Sequence, residues 1–373
     1  MLRLPPFQYH RPRELQEAVD LLARFTGEAM PVAGGTDLVP NMKHGLFTPA
    51  HLVALGQLGE LRGVEVRDGE LVLGAGESLS RIASHPLVRE HLPALAEAAA
   101  HVAGPQLRNR GTLGGNLCLD TRCTYYNQTE FWRGALGYCL KKDGTVCHVT
   151  RVGSRCVAAH SADTPPVLMT VDAQVELQGA EGRRRLPIRE FFVADGIWNS
   201  RREPGEIVTR IRIPLLPPGD GGAAAQGEPP RDAAGGASRR EAMQGGWGSG
   251  LERRTAYRKL RQRQAVDFPL LTVAVAAWFR PDGRMEEIRG VVTGLGSRPR
   301  ELTGWGDIGE GEPLSREVVE ALADRAHRQC TPLENHIVDP EWRKAMVTVQ
   351  VRRALETLGG GAAAPPPLRR GVP

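Results

Sequence analysis

The sequence predicts an α+β protein in which a two-part α/β domain is followed by a separate α+β domain. Three observations support this. Helical and strand-like apolar periodicities alternate through the first two hundred residues. A stretch rich in Gly, Ala and Pro then interrupts the pattern over 217–250. Beyond it, strands come first and helices last, the order expected of an independent α+β unit.

The first part, residues 1–57, has the pattern of a small α/β unit. Leu15, Val19 and Leu22 follow Pro12 at helical spacing, which predicts an amphipathic helix with one buried face. A short apolar strand is expected over Met30–Ala33, and the segment HLVALG reads as another strand that closes the unit.

The second part, residues 58–216, begins with strand alternation around an Asp68-Gly69 turn, which predicts a β-hairpin. Helical spacing returns over Leu87–Ala103. Strand-like Pro166–Gln178 and Arg185–Ile188 are expected to form a second hairpin, and EIVTRIRIP to add a strand.

The C-terminal domain is predicted over 251–358. Its first half carries a hairpin signal around Asp282-Gly283. Two helices are expected after it, with Ser315 and Asp339 at their N-caps and Pro340 at the first helical position of the second.

Two segments are predicted to lack fixed structure. Residues 217–250 contain too few large apolar groups to offset the entropy of ordering them, so we expect a flexible linker. Residues 359–373 have the composition of a disordered tail.

Composition argues against several classes of protein. A formal charge of +5 over 373 residues does not favour nucleic-acid binding, and the one basic run, Arg253–Arg263, contains a single aromatic residue, Tyr257. No stretch reaches 18 apolar residues and the N-terminus lacks an apolar signal region, so we expect a soluble cytoplasmic protein with no membrane partner.

Two glycine loops predict a site for a long, two-ended ligand. Gly34-Gly35-Thr36-Asp37 follows a strand, and a second loop runs from Gly111 to Asn116 on the other α/β part. Backbone N–H groups at such turns point at phosphates because no side chain blocks the approach. A dinucleotide between the loops suits this arrangement, although neither a G-x-G-x-x-G fingerprint nor a Walker A sequence is present.

Five of the six cysteines lie between 118 and 156. In a cytoplasmic protein this concentration indicates metal or redox chemistry rather than disulfides. Cys118 and Cys330 have the context of small buried side chains. The other four are spaced C-x15-C-x7-C-x8-C, so zinc and an iron–sulfur cluster are both open, with the cluster favoured because close ligand pairs are absent. Five nearby aromatic side chains are candidates to shield it: Tyr125, Tyr126, Phe131, Trp132 and Tyr138.

Taken in order, VAGGTDLVPNMKHG, RGTLGGNL, DTPPVLMTVDA, EIVTRIRIP and AYRKLRQRQAVDFPLLTVAVAAW resemble the medium, FAD-binding subunit of the molybdenum hydroxylases, the xanthine and CO dehydrogenase family. The resemblance implies an FAD-binding domain of the PCMH type over 1–216 and a CO dehydrogenase flavoprotein C-terminal domain. It also implies FAD contacts, with Arg258 as the basic group near the isoalloxazine ring. The implied contacts are Ala33, Gly34, Gly35, Thr36, Asp37, Leu38, Val102, Thr112, Gly115, Asn116, Asp163, Ile207, Val208 and Arg258.

In most of that family the aspartate follows the second loop within about ten residues, whereas here Asn116 and Asp163 are 47 positions apart. The additional residues, about 118–160, resemble the cysteine-bearing insertion in the β subunit of 4-hydroxybenzoyl-CoA reductase. That resemblance implies a [4Fe-4S] cluster with four ligands: Cys123, Cys139, Cys147 and Cys156.

The implied function is electron transfer within a complex that removes an aromatic hydroxyl group reductively. A low-potential donor such as ferredoxin would give electrons to the [4Fe-4S] cluster. FAD would accept them and pass them to a [2Fe-2S] small subunit and a molybdenum-cofactor large subunit, in a dimer of heterotrimers. Two alternatives are an ordinary hydroxylase subunit that passes electrons outward to NAD or a quinone, and a zinc-stapled assembly module without flavin.

Overall fold

The computed structural model describes residues 2–150, 154–215 and 250–360. The predicted flexible segment over 217–250 and tail over 359–373 lie outside these ranges, apart from Gly250, Gly359 and Gly360. Among the described residues, no helix is both long and apolar enough to cross a membrane.

The N-terminal part is a three-stranded parallel sheet in the order β1 (Gln8–His10), β3 (His51–Ala54), β2 (Ala29–Val32). Helix α1 (Leu15–Arg24) buries the predicted face, with Leu15, Val19 and Leu22 all inside. These side chains pack with Val53 of β3 in one apolar cluster. A short helix, α2 (Leu38–Lys43), follows the first glycine loop.

Helical spacing over Leu87–Ala103 does not produce one helix. The span is divided between two short helices, α4 (Pro86–His91) and α5 (Pro93–Ala100), and a third, α3 (Leu79–Ser84), precedes them. Each of the latter two begins at a proline, which cannot continue the preceding helix because it lacks an N–H and restricts the residue before it. Two further short helices, α6 (Pro105–Arg108) and α7 (Leu113–Leu117), flank the second glycine loop.

The second part is built on a five-stranded sheet in the order β4-β5-β8-β6-β7, antiparallel throughout. Its strands are β4 (Val64–Arg67), β5 (Glu70–Gly74), β6 (Gln174–Gly179), β7 (Gly182–Pro187) and β8 (Ile207–Pro214).

The Asp68-Gly69 hairpin is confirmed, since both residues have positive φ, 53° and 77°. The strand predicted to start at Pro166 is wrong in its first half, where the chain forms helix α9 (Thr164–Thr170). Pro165 and Pro166 occupy the first helical turn, where a missing N–H costs nothing. A one-turn helix, α10 (Ile188–Phe191), follows β7.

The C-terminal domain is confirmed as strands followed by helices. Its antiparallel sheet has the order β12-β11-β10-β9, and the basic run forms most of β9. The bounds are β9 (Glu252–Leu260), β10 (Leu271–Phe279), β11 (Met285–Thr293), β12 (Arg300–Glu301), α11 (Gly306–Gly309), α12 (Arg316–Gln329) and α13 (Pro340–Gly359). Ser315 and Asp339 cap the two long helices as predicted, accepting hydrogen bonds from the N–H groups of Val318 and Trp342.

The C-terminal sheet contributes to two cores. One face packs under α12 and α13, with side chains such as Val273, Val275 and Val351 in one apolar cluster. Alternate residues of the same strands, including Ala274 and Trp278, belong to the apolar cluster of the second part. The two-residue period of a strand produces this division. It places β9 and β10 directly against the second part of the N-terminal domain.

The cysteine-bearing segment lies between α7 and α9, and its described residues form one short helix, α8 (Glu130–Ala135). At its base, Arg122 and Ala159 exchange two backbone hydrogen bonds, with N···O distances of 2.8 and 2.6 Å. Asn335 anchors the segment to the C-terminal domain, accepting from the N–H of Thr124 at 3.0 Å and donating to the carbonyl of Val157 at 2.8 Å.

Candidate cofactor sites

The two glycine loops predicted to hold a dinucleotide touch each other. A Cβ atom placed on Gly34 would lie 2.0 Å from the carbonyl oxygen of Arg110, so the close approach requires glycine. Gly111 faces the hydroxyl of Thr36 in the same contact, and Gly35 has a φ of +70°. The sequence places these loops on separate α/β parts, and the fold brings them together.

The first loop presents unused backbone donors. Within the described ranges, none of the N–H groups of residues 34–37 donates a hydrogen bond to another part of the chain. The carbonyls of Gly35 and Asp37 instead accept from Val39 and Asn41 at the start of α2. Free N–H groups at a glycine turn form a concave site for phosphate oxygens. The loop therefore fits the diphosphate of a dinucleotide.

The second loop is held rigidly. The hydroxyl of Thr112 accepts from the N–H of Gly115 at 3.0 Å and caps α7. The amide oxygen of Asn116 accepts from the N–H and hydroxyl of Thr164, at 3.1 and 2.7 Å. This pair connects the loop to the start of α9, so Asp163 lies beside the loop although 47 positions separate it from Asn116.

Asp163 is buried in a charged network that spans two domains. Its carboxylate accepts from the hydroxyl of Tyr257 at 2.6 Å and forms an ion pair with Lys259 at 2.9 Å. Lys259 also donates to the carbonyl of His101 at 3.0 Å. Burial raises the pKa of the Asp163 carboxyl, and the charge of Lys259 opposes that rise. The network fixes the aspartate and joins β9 to the loop after α5.

The basic residue predicted near the flavin, Arg258, contacts helices α13 and α5. Its guanidinium donates to the hydroxyl of Thr357 at 2.6 Å and lies 3.9 Å from the carboxylate of Glu97. In β9, Tyr257 and Lys259 share one face and Arg258 occupies the other. The resemblance left the basic group open between Arg258 and the adjacent Lys259, and the two-residue spacing from Tyr257 was the available signal for the lysine.

The remaining predicted flavin contacts are distributed around the loops. Val102 is half-buried, and its carbonyl accepts from Arg108 at 2.8 Å. Leu38 begins α2 and packs on the apolar cluster that contains Val32 and Leu52 of the first sheet. Ile207 and Val208 are both buried in β8, but in different apolar clusters, so they do not share an environment.

The four predicted metal ligands converge. Cys139, Cys147 and Cys156 are buried and Cys123 is half-buried. The cavity around them has an empty volume of about 290 Å³, part of it open to solvent. Its lining comprises Cys123, Tyr125, Tyr126, Cys139, Leu140, Lys141, Cys147, His148, Val149, Cys156, Val157 and Ala158.

Polar groups lie near two of the sulfur atoms. At Cys147, burial raises the pKa, but the polar groups of Thr150 and two neighbouring backbone N–H groups outweigh it and hold the pKa below its ordinary value. Burial raises the pKa of Cys156 to about 11, although the N–H of Ala158, 3.4 Å from its sulfur, and the charge of Lys141 favour the thiolate. N–H donors to sulfur are a common way for a protein to tune thiolate ligands.

The aromatic shield is smaller than predicted. Only Tyr125 and Tyr126 of the five side chains line the cavity. Phe131 points to solvent with 87% of its surface exposed, and Tyr138 instead donates to Glu130 at 2.9 Å. His148 lines the cavity and packs against Tyr125 with the two rings tilted and their centroids 5.2 Å apart.

The two cysteines outside the predicted ligand set differ. Cys330 is fully buried in the C-terminal core, which confirms its role as a small apolar side chain. The same prediction for Cys118 is wrong: the residue is exposed at the C-cap of α7.

One side chain connects the cysteine segment to the first glycine loop. Arg122 forms a salt bridge with Asp37, and its other terminal nitrogen donates to the amide oxygen of Asn41 at 3.1 Å. The guanidinium also lies 4.6 Å above the ring of Phe268. Because Arg122 directly precedes Cys123, the two candidate cofactor sites share a boundary.

The arrangement of the cysteines is unlike that of a mononuclear metal site. Across the described parts of the chain, no group of three or more His, Cys, Asp or Glu side chains is arranged to hold a single metal ion. A single zinc ion gathers its thiolates at about 2.3 Å.

Comparison with known families decides the identity of the scaffold. Residues 5–216 match the family described as FAD binding domain in molybdopterin dehydrogenase. The chain belongs to the FAD-binding medium subunits of the xanthine and CO dehydrogenase family of molybdenum hydroxylases. Residues 255–358 match the CO dehydrogenase flavoprotein C-terminal domain, which follows the FAD-binding domain along the chain.

Relatives match along nearly the full chain. The carbon monoxide dehydrogenase medium chain of Hydrogenophaga pseudoflava is 30% identical over 94% of this chain and 96% of its own. A putative xanthine dehydrogenase FAD-binding subunit of Escherichia coli is 25% identical over 93% and 94%. Carbon monoxide dehydrogenase from Hydrogenophaga pseudoflava, solved without the Mo-pyranopterin moiety, superposes with a TM-score of 0.71 at 27% identity, covering 96% of this chain and 98% of that one.

This membership confirms the predicted fold class and the resemblance at family level. It makes the protein a flavoprotein oxidoreductase subunit. Membership supports FAD as the cofactor of the glycine loops and assigns nothing to the four cysteines.

Proposed function

We propose that this flavoprotein is the FAD and [4Fe-4S] electron-transfer subunit of a molybdenum-containing complex similar to 4-hydroxybenzoyl-CoA reductase. The observation that carries the proposal is the convergence of four cysteines on one cavity beside a flavin domain. In this proposal the chain accepts electrons from a low-potential donor such as ferredoxin and delivers them towards a [2Fe-2S] small subunit and a molybdenum-cofactor large subunit.

The flavin side of the proposal is supported by the loop geometry. The unused N–H groups of residues 34–37 would bind the FAD diphosphate. The rigid second loop, with Thr112 at its helix cap, would lie against the same ligand. Asp163 is the aspartate that the family places at the flavin, and Lys259 rather than Arg258 is our candidate for the basic group near the ring. When bound, FAD exchanges electrons one or two at a time and connects single-electron carriers.

The cluster side is supported by the chemistry of the donor set. Four cysteine thiolates are the ligand set of a cubane cluster. Cys123, Cys139, Cys147 and Cys156 would hold it, and the N–H groups near Cys147 and Cys156 would stabilise the thiolate form. The absence of a single-ion arrangement among the described residues argues against the zinc-stapled alternative.

The partners follow from the family. Its members act as medium subunits, and the carbon monoxide dehydrogenase and xanthine dehydrogenase relatives are named as parts of such enzymes. We infer a dimer of heterotrimers in which this chain lies between the external donor and the other two subunits. An exposed approach to the cysteine cavity suits a diffusible protein donor.

A second candidate is the medium subunit of an ordinary molybdenum hydroxylase that passes electrons outward to NAD or a quinone. The observation in its favour is the identity of the relatives, among them carbon monoxide dehydrogenase and nicotine 6-hydroxylase subunits. In that case the cysteine segment would hold no iron.

One set of measurements separates these candidates. The protein is purified anaerobically, its FAD, iron and zinc are quantified, and EPR spectra are recorded after dithionite. FAD with about four irons and a reduced-cluster signal supports the proposal. FAD without iron rejects it in favour of the ordinary hydroxylase subunit, and zinc without flavin favours the assembly module.

The substrate of the complex is tested separately. The holoenzyme, with its partner subunits, is supplied with reduced ferredoxin and 4-hydroxybenzoyl-CoA, and loss of the aromatic hydroxyl is followed. Turnover of a different aromatic CoA thioester in place of 4-hydroxybenzoyl-CoA would retain the electron path and correct the substrate.

A further inference from the structure

A buried lysine lies against the cysteine cavity. Lys141 lines the cavity, two positions after Cys139, and only 4% of its side chain is exposed. It brings an ammonium group to a cavity lining that otherwise consists of cysteine, tyrosine, histidine and apolar side chains. This residue has no part in the flavin site.

Four groups fix the ammonium in place. It donates to the carboxylate of Asp120 at 2.6 Å, to the carbonyl of Thr121 at 3.1 Å and to the hydroxyl of Thr121. These three bonds use all of its hydrogen atoms. The ring of Tyr126 covers it, with the nitrogen 4.4 Å from the centroid.

The network continues to a cysteine. Thr121 donates from its hydroxyl to the carbonyl of Gly196 at 2.6 Å. A Cβ atom on Gly196 would lie 2.6 Å from the sulfur of Cys156, so this glycine touches the ligand directly. The lysine is therefore positioned relative to Cys156 through a chain of short contacts.

Stability alone does not account for this lysine. Desolvating both partners of a buried ion pair costs about as much as their attraction returns, and a hydrophobic residue of similar volume is often equally or more stabilising. The ammonium charge is close enough to interact electrostatically with a group bound in the neighbouring cysteine cavity.

We propose that Lys141 is a positioning residue that sets the reduction potential of the cluster. The inference rests on the proposed function. A cubane cluster with four thiolates gains one negative charge when it accepts one electron, so a fixed cation at the cavity wall stabilises the reduced form. Lys141 raises the potential, and Asp120, which pairs with the ammonium but does not line the cavity, partly offsets it.

The test uses the anaerobically purified full chain and a potentiometric titration followed by EPR. Lys141→Met lowers the equilibrium constant for one-electron reduction of the cluster by about tenfold, or about 59 mV for a one-electron couple. Asp120→Asn shifts the potential in the opposite direction, because it keeps the cation and removes its counter-charge. Lys141→Arg keeps the equilibrium constant within about threefold of the parent value, since it preserves the charge.

The outcomes are distinguishable. Equilibrium constants of Lys141→Met and Asp120→Asn that both stay within about threefold of the parent overturn the inference, because a fixed charge at the cavity wall must act on the cluster. Loss of iron from both variants also overturns it, because the pair would then be structural. An absence of iron in the parent protein is a failure of the proposed function itself.

Discussion

The guanidinium of Arg122 forms a salt bridge with the carboxylate of Asp37, and the two residues belong to different cofactor sites. Asp37 ends the first glycine loop, and Arg122 begins the cysteine segment. With a diphosphate bound at the first loop, as proposed, the Asp37 carboxylate would repel it, and the positive charge of Arg122 would offset that repulsion.

Arg122→Met is expected to weaken FAD binding. The change leaves Asp37 uncompensated close to the phosphate site, and we expect an affinity about tenfold lower, equivalent to about 1.4 kcal/mol. Fluorescence titration of the apoprotein with FAD measures it. Arg122→Lys is the control and should lose less, since it keeps the charge. Equal affinities for all three proteins would mean that the salt bridge does not act on the flavin.

Gly34→Ala is expected to abolish flavin retention. The new Cβ would lie 2.0 Å from the carbonyl oxygen of Arg110, so the two loops must separate. Gly59→Ala is a matched control in the same domain, because no atom lies within 4 Å of the position that its Cβ would take. FAD released by denaturation after gel filtration is quantified by its fluorescence. A Gly34→Ala protein that retains FAD would contradict the contact between the loops.

Cys139→Ser is expected to lose the cluster and retain FAD, since the flavin contacts lie on other loops. Iron content and the fluorescence of FAD released by denaturing the anaerobically purified protein measure the two cofactors independently. Cys118→Ser, at an exposed position outside the cavity, should keep both. Loss of flavin together with iron would show that the sites fold as one unit.

Lys259→Met is expected to destabilise the protein and reduce its FAD content. It leaves the carboxylate of Asp163 buried without its cation, a change that costs about 3 kcal/mol or more. Arg258→Met, on the opposite face of β9, is the comparison, because its guanidinium is partly exposed and pairs only weakly with Glu97. Urea unfolding and flavin content are measured for both. A greater loss of FAD from the Arg258 variant than from the Lys259 variant would restore Arg258 as the flavin contact.

His160 is expected to make stability depend on pH. Burial lowers the pKa of its imidazole to about 3, from an ordinary value of 6.5 in the unfolded chain. Between these values the unfolded chain binds more protons, so stability is present above pH 6.5 and is lost as the pH falls, by at most about 1.4 kcal/mol per unit. Among the described residues neither ring nitrogen has a hydrogen-bond partner.

The check is urea unfolding of the apoprotein between about pH 6.5 and 5, where the unfolded imidazole titrates. His160→Leu should flatten the slope relative to the parent. Phe192→Leu removes the ring that packs at 4.9 Å from the imidazole but no titrating group, so it should lower stability and keep the slope. Parallel slopes for the parent and His160→Leu would assign the acid sensitivity to other groups.

Local signals in the sequence were sufficient for much of the fold. The Asp68-Gly69 and Asp282-Gly283 turns and the caps at Ser315 and Asp339 depend on neighbouring residues only, and all four are present. The errors were local too. Pro93 divides the predicted helical span, and two prolines begin α9 where a strand was expected.

The candidate sites were predictable in composition but not in connection. The glycine loops and the four cysteines stand out as types and spacings. Contacts between distant residues do not: Asp163 and Lys259 lie 96 positions apart, and Arg122 and Asp37 lie 85 apart. No periodicity specifies which charges meet across domains, so the direction of Lys259 and the link between the sites needed the folded chain.

The paired backbone hydrogen bonds between Arg122 and Ala159 bear on how such a protein evolves. They bring the two ends of the cysteine segment together, so residues 123–158 leave and rejoin the scaffold at nearly one point. The entropic cost of closing such a loop grows only slowly with its length. A single genetic insertion or deletion at this position would add or remove the complete cysteine segment, leaving the flavoprotein scaffold intact on either side.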